Sequence, residues 1–244
     1  MTASLSGAAL REIAPGLLVR SAAALPPLGH FRLMAFDMDS TLINIECVDE
    51  IAAAAGRGAE VAAITEAAMR GEITDFKESL RRRVALLQGV SEAQLERVWQ
   101  ERLRPSPGAA ELILAAKAAG LKTLLISGGF TWFAERLRQR LALDFVRSNQ
   151  LEMQQGRLTG RLLPQSWGDI VDGAMKRQTL LDVCSLLGIA SAQAIAVGDG
   201  ANDLEMMAAA GLSVAFHAKP RVREQATVRI DEGGLDRLLQ ALGA

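Results

Sequence analysis

Leu33-Met34-Ala35-Phe36-Asp37-Met38-Asp39-Ser40-Thr41 sets four apolar residues directly before a pair of acids. A short apolar run bounded by polar residues reads as a buried strand, here with its acids at the carboxyl end. The pattern recurs. Leu121 to Ile126 leads into Ser127-Gly128-Gly129, and Ala194 to Val197 leads into Gly198-Asp199-Gly200. Leu212 to Phe216 is another such run, and Thr227 to Ile230 a weaker one. Helical stretches separate most of them. Ser106-Pro107 opens one as N-cap and first-turn proline, and Gly120 closes it. Phe130 to Leu141 is a second, and Ala201 to Ala210, ended by Gly211, a third. Strands alternating with helices predict an α/β fold whose parallel sheet is covered on both faces.

One stretch breaks the alternation. From about Glu46 to Arg104 the pattern is helical, with Cys47, Ile51 and Ala55 at i+4 spacing, a capping box at Ser91 and Gln94, and an apolar stripe of Phe76, Leu80 and Leu87. The reading is therefore a core of residues 1–44 and 105–244 with a helical cap inserted at 45–104. Gly156, amid the irregular stretch at about 150–163, predicts a small hairpin. Residues 1–30 read as an extension, a short surface helix followed by the linker Leu25-Pro26-Pro27-Leu28-Gly29.

Composition narrows the function. The 244 residues carry 27 basic and 28 acidic side chains and are 50% hydrophobic. That balance argues against nucleic-acid binding through general basicity. No apolar run approaches the roughly 20 residues of a membrane helix, and the N-terminus lacks the pattern of a secretory signal. Cys47 and Cys184 form neither a metal-ligand spacing nor a disulfide framework, which suits a reducing cytoplasm.

Ligands of open parallel sheets bind beyond the carboxyl ends of the strands. Asp37, Asp39, Asp199 and Asp203 would converge there with Ser127 and several free N–H groups. Like charges so close resist ionisation without a cation. An oxygen-only set without His or Cys suits Mg²⁺. The helix start expected at Ser127-Gly128-Gly129 is a phosphate seat, and Lys176 is the candidate fixed charge, with Arg177 adjacent.

The order Asp-x-Asp-Ser-Thr, Ser-Gly-Gly-Phe, Lys, Gly-Asp-Gly-Ala-Asn-Asp resembles the haloacid dehalogenase superfamily, over about Phe31 to Asp231. Residues 36–44 with Glu46 and 49–52, residues 79–84, and residues 216–220 resemble its motifs. The Glu46 and Arg83 contexts are most similar to members that hydrolyse O-phosphoserine, the last step of serine biosynthesis. The resemblance implies a Rossmann-like core and a Mg²⁺-dependent reaction through an aspartyl-phosphate. Asp37 would be the nucleophile and Asp39 the general acid and base. The metal would sit on Asp37, the Asp39 backbone carbonyl and Asp199. Ser127, Gly128 and Lys176 would bind phosphate, with Asn202 orienting the phosphoryl group or Lys176, and Asp203 behind the metal.

A zwitterionic substrate also needs one acid and one base from the cap. Glu46 suits the ammonium, although Glu46, Asp49 and Glu50 also suit a helix N-terminus. At about 100° per residue, Arg83 lies within about 20° of Phe76, whereas Arg81 and Arg82 lie about 140° and about 120° away. Arg83 thus shares the apolar stripe, where it would meet either a substrate carboxylate or a cap glutamate. Phe76 and Met69 would form the apolar wall. Two rivals remain at this point: a phosphatase or phosphotransferase acting on another small phosphomonoester, and a non-catalytic binding protein.

Overall fold

The computed structural model describes residues 9–21 and 23–243, the Met69 side chain excepted. Its nine strands are β1 (Leu10–Ala14), β2 (Leu17–Arg20), β3 (Leu33–Phe36), β4 (Lys122–Phe130), β5 (Phe145–Gln154), β6 (Arg157–Leu163), β7 (Ala194–Gly198), β8 (Leu212–Phe216) and β9 (Val228–Ile230). They form one sheet in the order β1-β2-β9-β8-β7-β3-β4-β5-β6. The six strands from β9 to β5 pair in parallel, and an antiparallel pairing closes each end.

Period-2 alternation drives the layering. Met34 and Phe36 face one apolar cluster, with Leu112 and Ala116 of α5 (Ala109–Ala118) and Phe133 and Leu137 of α6 (Thr131–Arg140). Leu33 and Ala35 face the other, with Leu180 and Cys184 of α7 (Gly173–Leu186) and Met206 and Met207 of α8 (Leu204–Ala209). With both faces covered, β3, β7 and β8 are buried along their whole length. Among the described residues, no helix is long and apolar enough to cross a membrane.

Between β3 and β4 run α1 (Cys47–Ala54), α2 (Gly58–Met69), α3 (Phe76–Ala85) and α4 (Glu92–Arg97), with no strand among them. Their apolar residues, Cys47, Ile51, Val61, Leu80, Val84 and Leu95 among them, join the first cluster. The two connections into this helical segment pair with each other through an Ile43–Pro105 bridge and the Asn44 N–H to the Arg104 carbonyl at 3.0 Å. The loop after α3 is also bonded to the β5–β6 hairpin. Gly89 N–H reaches Leu158 O at 2.8 Å, Leu158 N–H reaches Val90 O at 2.8 Å, and Glu92 N–H reaches Gly156 O at 3.0 Å.

Several expectations are corrected. The start of the chain forms no surface helix in its described part: residues 10–20 are the β1–β2 hairpin, and β2 pairs with β9. The edge of β9 recruits Leu17 and Val19, which are buried there; residues 1–8 lie outside the described residues. The antiparallel β5–β6 pairing runs from Gln150–Leu163 to Gln154–Arg157, and β5 itself begins earlier, at Phe145, where it pairs with β4. Ser106 is not an N-cap. α5 begins at Ala109 after Gly108 at φ 74°, where an added Cβ would stand 2.0 Å from Asp236 Oδ1, so only glycine fits. Ala201–Asp203 is a 3₁₀ turn leading into α8 rather than the first turn of one α-helix.

Candidate active site

The chain leaves β3 to build β4 on one side and later β7 on the other, so the carboxyl ends of these strands mark the point where strand order reverses. Asp37, Ser127 and Asp199 stand at those three ends. Asp37 ends β3, and the chain then makes a wide helical turn at Met38–Leu42, broken at Ser40 with φ 56°. That turn brings Asp39 back over the site.

Lys176 is wholly buried in the first turns of α7, behind an N-cap at Asp172 that accepts the Met175 N–H. Its Nζ lies 2.6 Å from Asp37 Oδ1 and 2.6 Å from Asp203 Oδ1. Arg177 is exposed. Burial opposes the charge on Lys176, but the Asp203 and Asp37 carboxylates outweigh it and hold the ammonium above its ordinary range. The other oxygen of Asp203 accepts the N–H groups of Asp199 at 3.2 Å and Gly200 at 3.0 Å. Both Asp203 oxygens are therefore occupied by the protein.

Asp37, Asp199 and Asp203 offer oxygens within 4.8 Å of one another. Burial, then Asp203, pushes Asp37 well above the usual carboxylate range, against the pull of Lys176. Burial likewise raises Asp199 to about 6, although Lys219 lowers it. Three carboxylates crowd around one buried ammonium, an excess of acid that a cation would relieve. The set is all hard oxygen, so this buried triad is able to hold a metal. Asp199 is steadied by Thr41 Oγ1, which donates to its Oδ1 at 3.1 Å.

Asp39 differs from its neighbours. Burial, reinforced by Glu46, raises its pKa to about 8, and its Oδ1 has no partner among the described residues. It therefore carries a proton at neutral pH.

The Ser127-Gly128-Gly129 expectation needs revising. These residues do not open a helix; α6 starts at Thr131. They bulge from β4 where its pairing with β5 jumps from Ile126–Arg147 to Phe130–Asn149. The interruption releases N–H groups from the ladder, and the Gly129 N–H turns to Ser127 Oγ at 2.8 Å.

Asp37, Asp39, Asp199 and the Ser127–Gly129 bulge line a cavity of about 360 Å³ together with Glu46, Asp49, Thr65, Phe76, Leu80, Arg83, Asn202 and Lys219, while Lys176 and Asp203 are buried behind its lining. Arg83 points inward while Arg81 and Arg82 are exposed, as the helical angles predict. Arg81 pairs with Asp169, and Lys77 with Asp172 at 3.3 Å, both across to the segment before α7. Glu46 is held by the Ser40 hydroxyl at 2.8 Å. Arg83 Nε and Asp49 Oδ1 are buried without partners among the described residues. Phe76 Cζ comes within 3.2 Å of where a Cβ on Gly128 would stand, so the ring packs against the Ser127–Gly129 bulge. The Met69 side chain lies outside the described residues. Sequence reasoning assigned no site role to Thr41, Asp49 or Thr65, nor to Lys219 as a partner of Asp199: Lys219 Nζ is 3.6 Å from Asp199 Oδ2.

The haloacid dehalogenase-like hydrolase family model matches residues 31–211. A phosphoserine phosphatase of Albidiferax ferrireducens is 68% identical over 93% of this chain and 96% of its own. One from Polaromonas sp. is 67% identical over 94% of this chain and 97% of its own. Among solved structures, a phospho-aspartyl intermediate analogue of phosphoserine phosphatase aligns with a TM-score of 0.78 at 37% identity, covering 86% of this chain and 98% of that one.

Proposed function

The chain belongs to the haloacid dehalogenase-like hydrolases and, within them, to the phosphoserine phosphatases, and from that premise we propose how its own residues hydrolyse O-phosphoserine. Asp37 attacks phosphorus, the bond to the serine oxygen breaks, and the phosphoryl group rests on Asp37. Asp39, protonated by virtue of its buried position beside Glu46, gives its proton to the departing serine oxygen. It then takes a proton from the water that cleaves the aspartyl-phosphate. Ser127, the Gly128 N–H and Lys176 receive phosphate oxygens, Asn202 orients the group, and Asp203 holds Lys176 in place. Asp37, the Asp39 carbonyl and Asp199 would hold Mg²⁺, which supplies charge neutralisation to the phosphoryl group when bound.

The helical segment 45–104 acts as the cap over the core of residues 1–44 and 105–244. From it Glu46 meets the substrate ammonium, and Arg83 takes the carboxylate. Phe76 keeps water from the phosphate.

One observation carries this reading. A single cavity faces phosphate chemistry on one wall with one acid and one arginine on the other. A phosphomonoester lacking the amino-acid zwitterion leaves Arg83 Nε without a partner, an uncompensated cost. The test is phosphate release from O-phosphoserine with and without Mg²⁺, beside p-nitrophenyl phosphate. Turnover should require Mg²⁺, favour phosphoserine, and vanish in Asp37→Asn while the melting temperature is retained. Equal preference for the two substrates would remove the assigned specificity, and normal turnover in Asp37→Asn would remove the nucleophile.

A further inference from the structure

Asn149 lies outside the cavity on β5, 1% exposed, with both arms of its amide in use. Its Nδ2 donates to the Gly128 carbonyl at 2.7 Å. Its Oδ1 accepts the Val171 N–H at 2.9 Å. These partners fix the amide's orientation without ambiguity, since a carbonyl only accepts and an N–H only donates. The residue's own carbonyl accepts from Thr131 Oγ1 at 3.0 Å, which ties it to the first residue of α6.

Its place in the register gives these contacts meaning. Three residues of β4 (127–129) stand against one of β5 (148), and Asn149 is the first paired residue beyond the jump. It therefore stitches the bulge where it leaves the ladder. A peptide's carbonyl and N–H point in opposite directions. Pinning the Gly128 carbonyl to Asn149 thus turns the Gly129 N–H the other way, where it meets Ser127 Oγ at 2.8 Å. Accepting that bond leaves the Ser127 hydroxyl proton free to be donated elsewhere. The second arm reaches Val171, just before Asp172 caps the helix that delivers Lys176 to Asp37.

We infer that Asn149 is a positioning residue: one buried amide sets both the Ser127–Gly129 bulge and the entry to the Lys176 helix, and so holds the two halves of the phosphate seat in register. This rests on the reading of Ser127, Gly128 and Lys176 as that seat. Loss of the donor arm should weaken phosphate recognition in common for every substrate. It should leave the preference for phosphoserine, which the cap supplies, unchanged.

The test uses Asn149→Asp, which keeps the size and the acceptor for Val171 but sets an oxygen against the Gly128 carbonyl. Inhibition by inorganic phosphate should weaken, and kcat/KM should fall by roughly ten- to hundredfold for both phosphoserine and p-nitrophenyl phosphate. Thr123→Val serves as the matched control. Thr123 is also buried in the sheet, bonded to Asp144 at 2.9 Å, far from the cavity lining. It should lower the melting temperature and leave phosphate inhibition as it was. If Asn149→Asp does not accumulate folded, Asn149→Ser carries the same comparison. Unchanged phosphate inhibition, or a loss confined to phosphoserine, would overturn the inference. So would effects no larger than those of Thr123→Val. The parent reading is checked separately in the unsubstituted protein: without phosphoserine turnover it falls, while phosphate inhibition of p-nitrophenyl phosphate turnover still judges Asn149.

Discussion

Replacing Arg83 by methionine separates substrate recognition from structural support, because the two make opposite predictions for stability. The guanidinium sits half-buried on α3 with its Nε unpartnered. Burial is the largest influence on it and holds its pKa below the ordinary range; Asp49, Glu46 and Asp39 pull the other way and do not prevail. A base whose pKa falls on folding favours the folded state less when charged, so at neutral pH the charge opposes folding. Methionine keeps much of the apolar stem against Leu80 and Leu87. The expected change in stability is below about 1 kcal/mol, a melting shift within about 4 °C for a chain of this size. Catalysis responds differently. Removing one partner of a buried, hydrogen-bonded charge pair costs about 2–5 kcal/mol. That corresponds to a fall in kcat/KM for phosphoserine of roughly 30-fold to several thousandfold. Turnover of p-nitrophenyl phosphate, which has no carboxylate for Arg83, should stay within about threefold, since the lost pair is not made. Steady-state kinetics on both substrates and a melting curve decide the matter. A melting drop of about 10 °C or more is what a broken structural ion pair would give. That result, or an equal kinetic loss on both substrates, would refute the reasoning.

Three further outcomes follow from the site. Phosphoserine turnover should decline as pH rises through about 8, where Asp39 gives up the proton that the leaving oxygen needs; a rate flat to pH 10 would remove Asp39 as the acid. The same shift acts on stability. An acid with a raised folded pKa stabilises the fold fully below its unfolded pKa and loses that contribution as pH climbs to the folded value. In chelator the melting temperature should therefore fall between pH 4 and 8, and Asp39→Asn should flatten part of the slope. Gly129→Ala would place a methyl 2.7 Å from Met38 Cε, 2.9 Å from Ser127 Oγ and 3.0 Å from Asp39 Oδ2. Displacing the last two should cut kcat by roughly ten- to hundredfold with little change in melting temperature; unchanged kinetics would show that the site has slack there.

How far the sequence speaks depends on whether a residue's role is local. Asp37 and Asp199 were legible because a short apolar run ending in an acid is a local pattern, and Arg83 because a helix repeats at a fixed angle. The start of the chain was not. Leu17 and Val19 are too few to signal a strand, and only the distant edge of β9 makes them one. Ser127-Gly128-Gly129 looked like a helix start because glycines and a hydroxyl before an amphipathic run fit that pattern. The bulge that occurs instead depends on β5, which the local sequence does not report. Asn149 escaped for the same reason: a polar residue within a strand carries no signal until both its partners are in place. Asp49 was visible but read as a helix-end acid, and only the enclosed cavity gives it a second setting.

The bonds between the loop after α3 and the β5–β6 hairpin constrain how the site opens. The helical segment is joined to the core by backbone hydrogen bonds where its two connections pair at Ile43–Pro105 and at the hairpin tip. On the side facing α7 it is joined by the solvent-reached ion pairs Arg81–Asp169 and Lys77–Asp172. Exposed ion pairs contribute about 0–1 kcal/mol each and weaken as salt rises. The two kinds of attachment are therefore unequal: the edge toward α7 is cheap to part, and the opposite edge is not. Ionic strength then acts on access to the cavity from one side alone.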